Sequence, residues 1–193
     1  MDQTTAYRLW QAPFLHQKFV PILNQNDLGT VRRVLDVGCG PGTNRPYFKG
    51  KDYLGIDINE QYIEYARRKF GGRFEVADVT KYKVSDDEKF DFVLLNSLLH
   101  HLNDEETDSV LGSLSRIVAA DGHVHIIDLV LPDERGIPRF LAMNDRGDYG
   151  RPLDRWREIF ANHFEPVACD LFSIDMLGVS LWQLVYFKGK PLS

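Results

Sequence analysis

The chain has 193 residues, 44% of them hydrophobic and 26% charged, with a formal net charge of -5, which predicts one globular domain with a substantial core. The acidic balance argues against a nucleic-acid partner, which selects a basic surface, and the one tight basic cluster, Arg67-Arg68-Lys69, fits a solvated helix face. Two cysteines, Cys39 and Cys169, exclude a disulfide scaffold, and without an apolar run near ~20 residues or a leader-like N-terminus the chain is expected to be cytoplasmic, with no membrane partner.

Residues 5–24 are aromatic and polar and are interrupted by Pro13 and Pro21, which predicts one or two short helices in an N-terminal cap over 1–29. Arg32 to Val37 reads as a first strand, valine-rich and bounded by glycine. Pro46 can open a short helix. Tyr53 to Ile58 is a second strand. Asn59 then caps a helix with Tyr62, Ile63, Ala66 and Phe70 at helical period, stopped by Gly71-Gly72. Phe74 to Val79 and Phe90 to Asn96 are the third and fourth strands, the latter nearly all apolar, as a strand buried on both faces should be. Asn103 and Glu106 form a capping-box pair before a helix with a Val110, Leu111, Leu114, Ile117, Val118 stripe, ended by Gly122. His123 to Leu131 is the fifth strand, Pro132 to Gly150 a loop-rich section, and Arg151 to His163 holds a helix. Pro166 to Ile174 and Ser180 to Lys188 leave no room for a helix between them and predict a hairpin, so one strand runs antiparallel. The alternation defines an α/β doubly wound sheet, with residues 1–193 as one Rossmann-like domain and 132–150 as its substrate-side loop.

The turn Gly38-Cys39-Gly40-Pro41-Gly42 follows the first strand, at the end of an open sheet where ligands sit. A phosphate-gripping loop needs a lysine directly after its last glycine, and none follows until Lys49. A dinucleotide fingerprint is only partly matched, because Thr43 occupies the place of the third glycine. Asp36 lies two residues ahead of the turn, where it would repel a pyrophosphate and suit an amino group or a sulfonium. S-adenosylmethionine carries both of these and no phosphate. Asp57, at the second strand's tip, can accept both ribose hydroxyls. Asp78 can meet the adenine amino group, and Asn96 lies beside the methionine end.

These stretches resemble the class I S-adenosylmethionine-dependent methyltransferases. VLDVGCGPGTN is similar to their first motif, YLGIDIN and FEVADVT to the acidic motifs of the second and third strands, and FDFVLLNSLLHHL with LSRIVAADGHVHIIDLVLP to the fourth strand, helix and fifth strand. The resemblance covers residues 30 to 132 and implies a seven-stranded, mostly parallel sheet of order 3-2-1-4-5-7-6 with strand seven antiparallel and helices on both faces. It also implies that Gly38, Gly40 and Gly42 let the backbone approach the cofactor, that Ile58 packs on adenine and that Val79 with Asp78 meets its edge. The family often has proline and glycine before the fifth strand, where this chain has Ala120-Asp121-Gly122.

Enzymes that methylate base amines in DNA carry an Asn/Asp-Pro-Pro-aromatic motif where this chain has Asn96-Ser97-Leu98-Leu99, so a small-molecule acceptor is expected, with S-adenosylhomocysteine as product. Methyl transfer is an in-line displacement that needs a base only if the acceptor must lose a proton. His100 and His101 are the candidates for that base, or cap and pack the next helix. Tyr7 and Trp10, with Phe14, are candidates for an acceptor-side lid, as are Arg146 and Tyr149 in the polar loop. His125 reads as a satisfied core histidine. No metal is expected, because Asp128 has no evident partner carboxylate. The state expected is a monomer or a homodimer. The competing readings are a nicotinamide-dependent oxidoreductase and a cofactor-binding protein without transferase activity.

Overall fold

The computed structural model describes residues 14–145 and 147–192. Seven strands form one sheet in the order β3-β2-β1-β4-β5-β7-β6. They are β1 (Arg33–Val37), β2 (Asp52–Asp57), β3 (Arg73–Val76), β4 (Phe90–Asn96), β5 (Val118–Val130), β6 (Phe164–Met176) and β7 (Val179–Pro191). β1 pairs in parallel with β2 and β4, β2 with β3, and β4 with β5. β7 alone runs antiparallel, to both β5 and β6. The chain leaves β1 toward β2 and later returns on the other side as β4, so the order reverses between β1 and β4. A crevice opens at such a point beyond the carboxyl ends of the strands.

The strand alternation sorts the core onto two faces. Leu35, Val37, Leu54, Ile56, Val93, Leu95, Val124 and Ile126 point to one side, where α3 (Asp104–Ile117) and α5 (Leu153–Ala161) cover them with Val110, Leu114, Trp156 and Phe160. Val34, Tyr53, Phe92, Leu94, Ile127 and Tyr186 point to the other, under α1 (Leu15–Gln25), α2 (Glu60–Phe70) and Ala142 of α4 (Ile137–Met143). α1 is joined to the hairpin by a reciprocal pair: Gln17 Nε2 donates to the Asp175 carbonyl, and Asp175 N donates to Gln17 Oε1, each at 3.1 Å. Asn59 caps α2 by accepting from the amides of Gln61 and Tyr62, and Asn103 and Glu106 form a full capping box on α3.

Four boundaries differ from the sequence reading. β3 ends at Val76, because the Asp78 side chain caps a 3₁₀ turn over Val79–Lys81. α3 stops at Ile117, and Val118 already pairs with Phe90 in β5. Gly122 therefore lies inside a strand, where a Cβ would stand 2.9 Å from the Asp91 Cα and the Phe90 carbonyl. The 132–150 section holds α4, opened by Pro138 in its first turn. The hairpin strands extend to a two-residue turn, Leu177-Gly178, whose φ values of 51° and 79° suit a tight hairpin.

Candidate functional site

Two adjoining cavities, of about 450 and 420 Å³, lie at the carboxyl ends of the strands and share Gly38, Asp57 and Leu98 as walls. β1 delivers the glycine turn to this place, with φ of +64° at Gly38, +53° at Gly40 and +78° at Gly42. These left-handed conformations favour glycine. A Cβ on Gly40 would meet no atom within 4 Å, so the turn leaves open space on the cavity side. A Cβ on Gly42 would stand 3.1 Å from Ala66, Phe70 and Phe74. Gly42 therefore makes room for α2 and β3 instead of bordering the cavities, which corrects the expectation of three ligand-facing glycines.

Asp57 ends β2 between the two cavities. Its Oδ2 accepts from Gly40 N at 2.9 Å and its Oδ1 from Asn59 N at 2.8 Å. The carboxylate thereby fixes the glycine turn against the start of α2 and keeps acceptor capacity for a ligand. Beside it Ile58 is 78% exposed, an apolar side chain left uncovered on the wall of the smaller cavity, opposite Val79, Leu98 and Leu102. Asp78 and Thr80 line the same cavity. The Asp78 carboxylate accepts from the Thr80 hydroxyl and amide and pairs with Lys81 Nζ at 3.1 Å. The Thr80 hydroxyl leads in holding it below the usual carboxylate range.

Asp36 is fully buried and points to the α1–α2 face, beneath the glycine turn. It does not face a ligand directly, as the sequence reading placed it. Tyr53 Oη donates to its carboxylate at 2.5 Å, and Asn44 Nδ2 donates to both oxygens at 3.1–3.2 Å. Burial pushes Asp36 up to about 7, against those hydrogen bonds. From there a directed chain runs to the cleft. Asn96 Nδ2 donates to Asn44 Oδ1, the Ser97 hydroxyl to Asn96 Oδ1, and Lys18 Nζ to Ser97 Oγ at 3.1 Å. The carboxylate at one end and the ammonium at the other orient both amides between them. Asp36 acts on the cleft through Asn44 and Asn96, and Asn96 and Ser97 line the larger cavity.

His100 is 4% exposed and lies in a 3₁₀ turn over Leu99–His101 at the mouth of β4. Its Nδ1 is 2.6 Å from Asp128 Oδ1 and its Nε2 is 3.2 Å from Asp145 Oδ2. A carboxylate against each ring nitrogen requires a proton on both. Burial alone would lower His100, but Asp128 and then Asp145 outweigh it and raise it to about 9. Asp128 also accepts from the amides of Leu99, His100 and Leu129. An imidazolium held in this way has no lone pair for an incoming proton, which corrects the reading of His100 as a base. His101, whose ring centroid lies 4.1 Å from that of His100, is exposed on the larger cavity.

Tyr149 contributes its backbone, donating its amide to the His100 carbonyl at 3.0 Å, and its side chain is 42% exposed. Tyr7, Trp10 and Arg146 lie outside the described residues. His125 donates to or accepts from Tyr186 Oη at 3.0 Å and stacks on Phe92, as a core histidine should. Burial holds the Cys39 thiol protonated, which removes it as a nucleophile. Among the described residues no cluster of His, Cys, Asp and Glu could hold a metal ion, and no helix is long and apolar enough to cross a membrane.

Sequence reading missed Asn44, Ser97 and Asp145, and two residues that come from further away. Lys18 reaches the cleft from α1, and Arg151 braces the turn that carries His100. Arg151 pairs with Asp104 at 2.7 Å and donates to the carbonyls of Leu99 and Leu102. Neither sits in a local pattern; both matter through contacts distant in sequence.

The fold is that of the class I S-adenosylmethionine-dependent methyltransferases. Residues 34–122, just under half of the chain, match the family described as the methyltransferase domain. The trans-aconitate 2-methyltransferase of Rhizobium etli is 28% identical over 144 residues, 72% of this chain and 52% of that protein. The phosphoethanolamine N-methyltransferase 3 of Arabidopsis thaliana is 35% identical over 97 residues, 46% of this chain and 19% of that protein. The chain thus spans about half the length of the first of these relatives, and less of the second. Among solved structures, the N-methyltransferase NodS from Bradyrhizobium japonicum aligns with a TM-score of 0.72 at 14% identity, over 94% of this chain and 98% of that one. The same protein in complex with S-adenosyl-L-homocysteine aligns with a TM-score of 0.69 at 13% identity, over 94% of this chain and 87% of that one.

Proposed function

We propose that this chain transfers the methyl group of S-adenosylmethionine to a small-molecule acceptor. The observation that carries the reading is Asp57: one carboxylate at the junction of two cavities, tied to the glycine turn, with an uncovered Ile58 on one side and Asn96 and Ser97 on the other. A ligand with an apolar base, a ribose and an amino-acid tail fits that sequence of surfaces. Ile58 and Val79 sandwich the base, Asp57 accepts the ribose hydroxyls, and Gly38, Gly40 and Asn96 border the tail.

S-adenosylmethionine supplies an electrophilic methyl on a sulfonium. The residues of this chain align and enclose. The Asp36–Asn44–Asn96–Ser97 chain holds the floor rigid, and a pre-set floor lowers the entropic cost of alignment. Leu98, Leu141 and Trp182 exclude water from the transfer site. Acceptors of the relatives, trans-aconitate and phosphoethanolamine by their names, support a small molecule.

Calorimetric titration of the full chain with S-adenosylhomocysteine and with NAD tests the cofactor. Saturable binding of the first and none of the second is expected. Binding of NAD alone would return the chain to the oxidoreductase reading.

A further inference from the structure

We propose that the chain carries a second binding site, for a phosphate group, at the amino ends of β4 and β5, the opposite end of the sheet from the cofactor cleft. A cavity of about 490 Å³ opens there beyond the last residue of α1, Gln25. Its floor is sheet: Phe92 of β4, His123 and His125 of β5, and Lys188 of β7. His125 stands opposite Lys188 in the β5–β7 pair and stacks on Phe92 at 3.8 Å between centroids. His125 is 1% exposed, yet one of its nitrogens reaches the cavity. Asn26 Nδ2 donates to Tyr186 Oη at 2.9 Å, and Tyr186 Oη lies 3.0 Å from His125 Nδ1. Tyr186 accepts from Asn26, so its own proton goes to Nδ1, and the neutral ring carries its hydrogen on Nε2. Among the described residues Nε2 has no hydrogen-bond partner, and it is not sealed from solvent either, so it opens on the cavity. A buried donor without a partner is costly, and a ligand oxygen that accepts from it removes the cost.

The cavity holds carboxylates as well as cations, and the two kinds occupy different walls. Asp91 accepts from the amides of Arg32 and Arg33 and from Arg32 Nε. Asp121 pairs with Arg32 at 3.7 Å, and Asp27 accepts from the Gly29 amide. These three gather around Arg32 and the loop that enters β1. The floor beside β7 is different. Burial, the Lys188 ammonium and His123 pull His125 well below its ordinary value, and no carboxylate pulls it back. Burial and the Lys190 ammonium lower Lys188, again with no carboxylate opposing them. His123 marks the boundary: burial, Lys188 and Lys190 lower it, and Asp121 acts the other way. Among the described residues Lys188 makes no ion pair or side-chain hydrogen bond. A protonated amine at the floor would meet an N–H donor and an ammonium and find no acceptor. A phosphate oxygen accepts from both, and charge-assisted bonds of this kind are the strong ones. The selection is made by His125 and Lys188 locally, not by the sum of charges around the cavity.

The test is calorimetric titration of the full chain at neutral pH and constant ionic strength with inorganic phosphate, with phenyl phosphate and with putrescine. Saturable binding of one or both phosphates is expected, and none of the diamine. Tighter binding of phenyl phosphate makes the ligand an organic phosphate monoester, and equal or tighter binding of inorganic phosphate makes it the free ion. K188M should weaken the binding about tenfold or more, and K188R should retain it. K188Q replaces K188M if that variant does not fold. The ¹⁵N resonance of His125 Nε2 should move on addition of phosphate. Saturation with S-adenosylhomocysteine should leave the phosphate affinity within about twofold, because the cleft lies at the other end of the strands. The proposal is overturned if neither phosphate binds, if putrescine binds in their place, or if K188M binds them as the wild type does. It is also overturned if phosphate binds without moving the His125 resonance, or if S-adenosylhomocysteine displaces it, since the anion then sits elsewhere.

Discussion

Two aspartates twenty-one positions apart in sequence, one on the wall of the crevice and one buried beneath it, act differently because of what each accepts. Asp57 takes two backbone amides and still borders both cavities. Asp36 takes Tyr53 and Asn44 and borders neither. Asp57→Ala should weaken S-adenosylhomocysteine binding by about 1–3 kcal/mol, the cost of charge-assisted bonds to enclosed hydroxyls, as read by calorimetry. An unchanged affinity would remove Asp57 from the site. Asp57 was legible in the sequence because a strand, a turn and an acidic residue fall in local order. The neighbours of Asp36 were not: a carboxylate at a strand end looks the same whether it faces a ligand or an inward tyrosine, and only the register of Asp36 with Gly55, two residues past Tyr53 and on the same face of the sheet, decides.

At the scale of elements, the glycine turn divides its labour. Gly40→Ala adds a methyl in open space at φ +53°, so it should cost about 1 kcal/mol of stability and reduce S-adenosylhomocysteine affinity by crowding the cavity. Gly42→Ala forces a methyl to 3.1 Å from Ala66, Phe70 and Phe74 at φ +78°. Overpacking and backbone strain together should cost about 2–4 kcal/mol. Urea denaturation and calorimetry on the same two proteins check the pair, and equal losses of stability would contradict the division. Caps were the most legible elements, because Asn59 and the Asn103–Glu106 pair state their roles within four residues. The start of β5 was hidden. Val118-Ala119-Ala120 suits a helix, and only the pairing of Val118 with Phe90 across the sheet makes it strand. α4 was hidden by its length of seven residues, too short for a periodic signal.

Over the whole molecule, His100 joins three segments that are remote in sequence: Asp128 in β5, the turn after β4, and Asp145 with Tyr149 in the section after α4. The sequence marked His100 as a candidate and could not show that both ring nitrogens are occupied, because both partners come from later in the chain. His100→Gln leaves Asp128 buried with its cationic partner removed, and should cost about 3–5 kcal/mol at neutral pH. The pH dependence follows from the direction of the shift. Folding raises His100 from the usual 6.5 to about 9, so its stabilisation is complete below about 6.5. It is lost as pH rises through about 9. Asp128, held low by folding once His100 and the backbone amides outweigh its burial, keeps its share above the ordinary carboxylate range and loses it as pH falls. Two other groups slope the profile. Asp36, raised to about 7, makes the fold less stable as pH climbs toward that value, and Lys18, lowered to about 8, makes it more stable above. The difference between wild type and His100→Gln cancels the Asp36 slope, and Lys18, which feels the same Asp128 and Asp145 as His100, enters only above about 8. Urea midpoints measured across this range should therefore converge as pH approaches about 9. A wild-type advantage that stays constant over the window would mean that His100 is not the charged link between these segments.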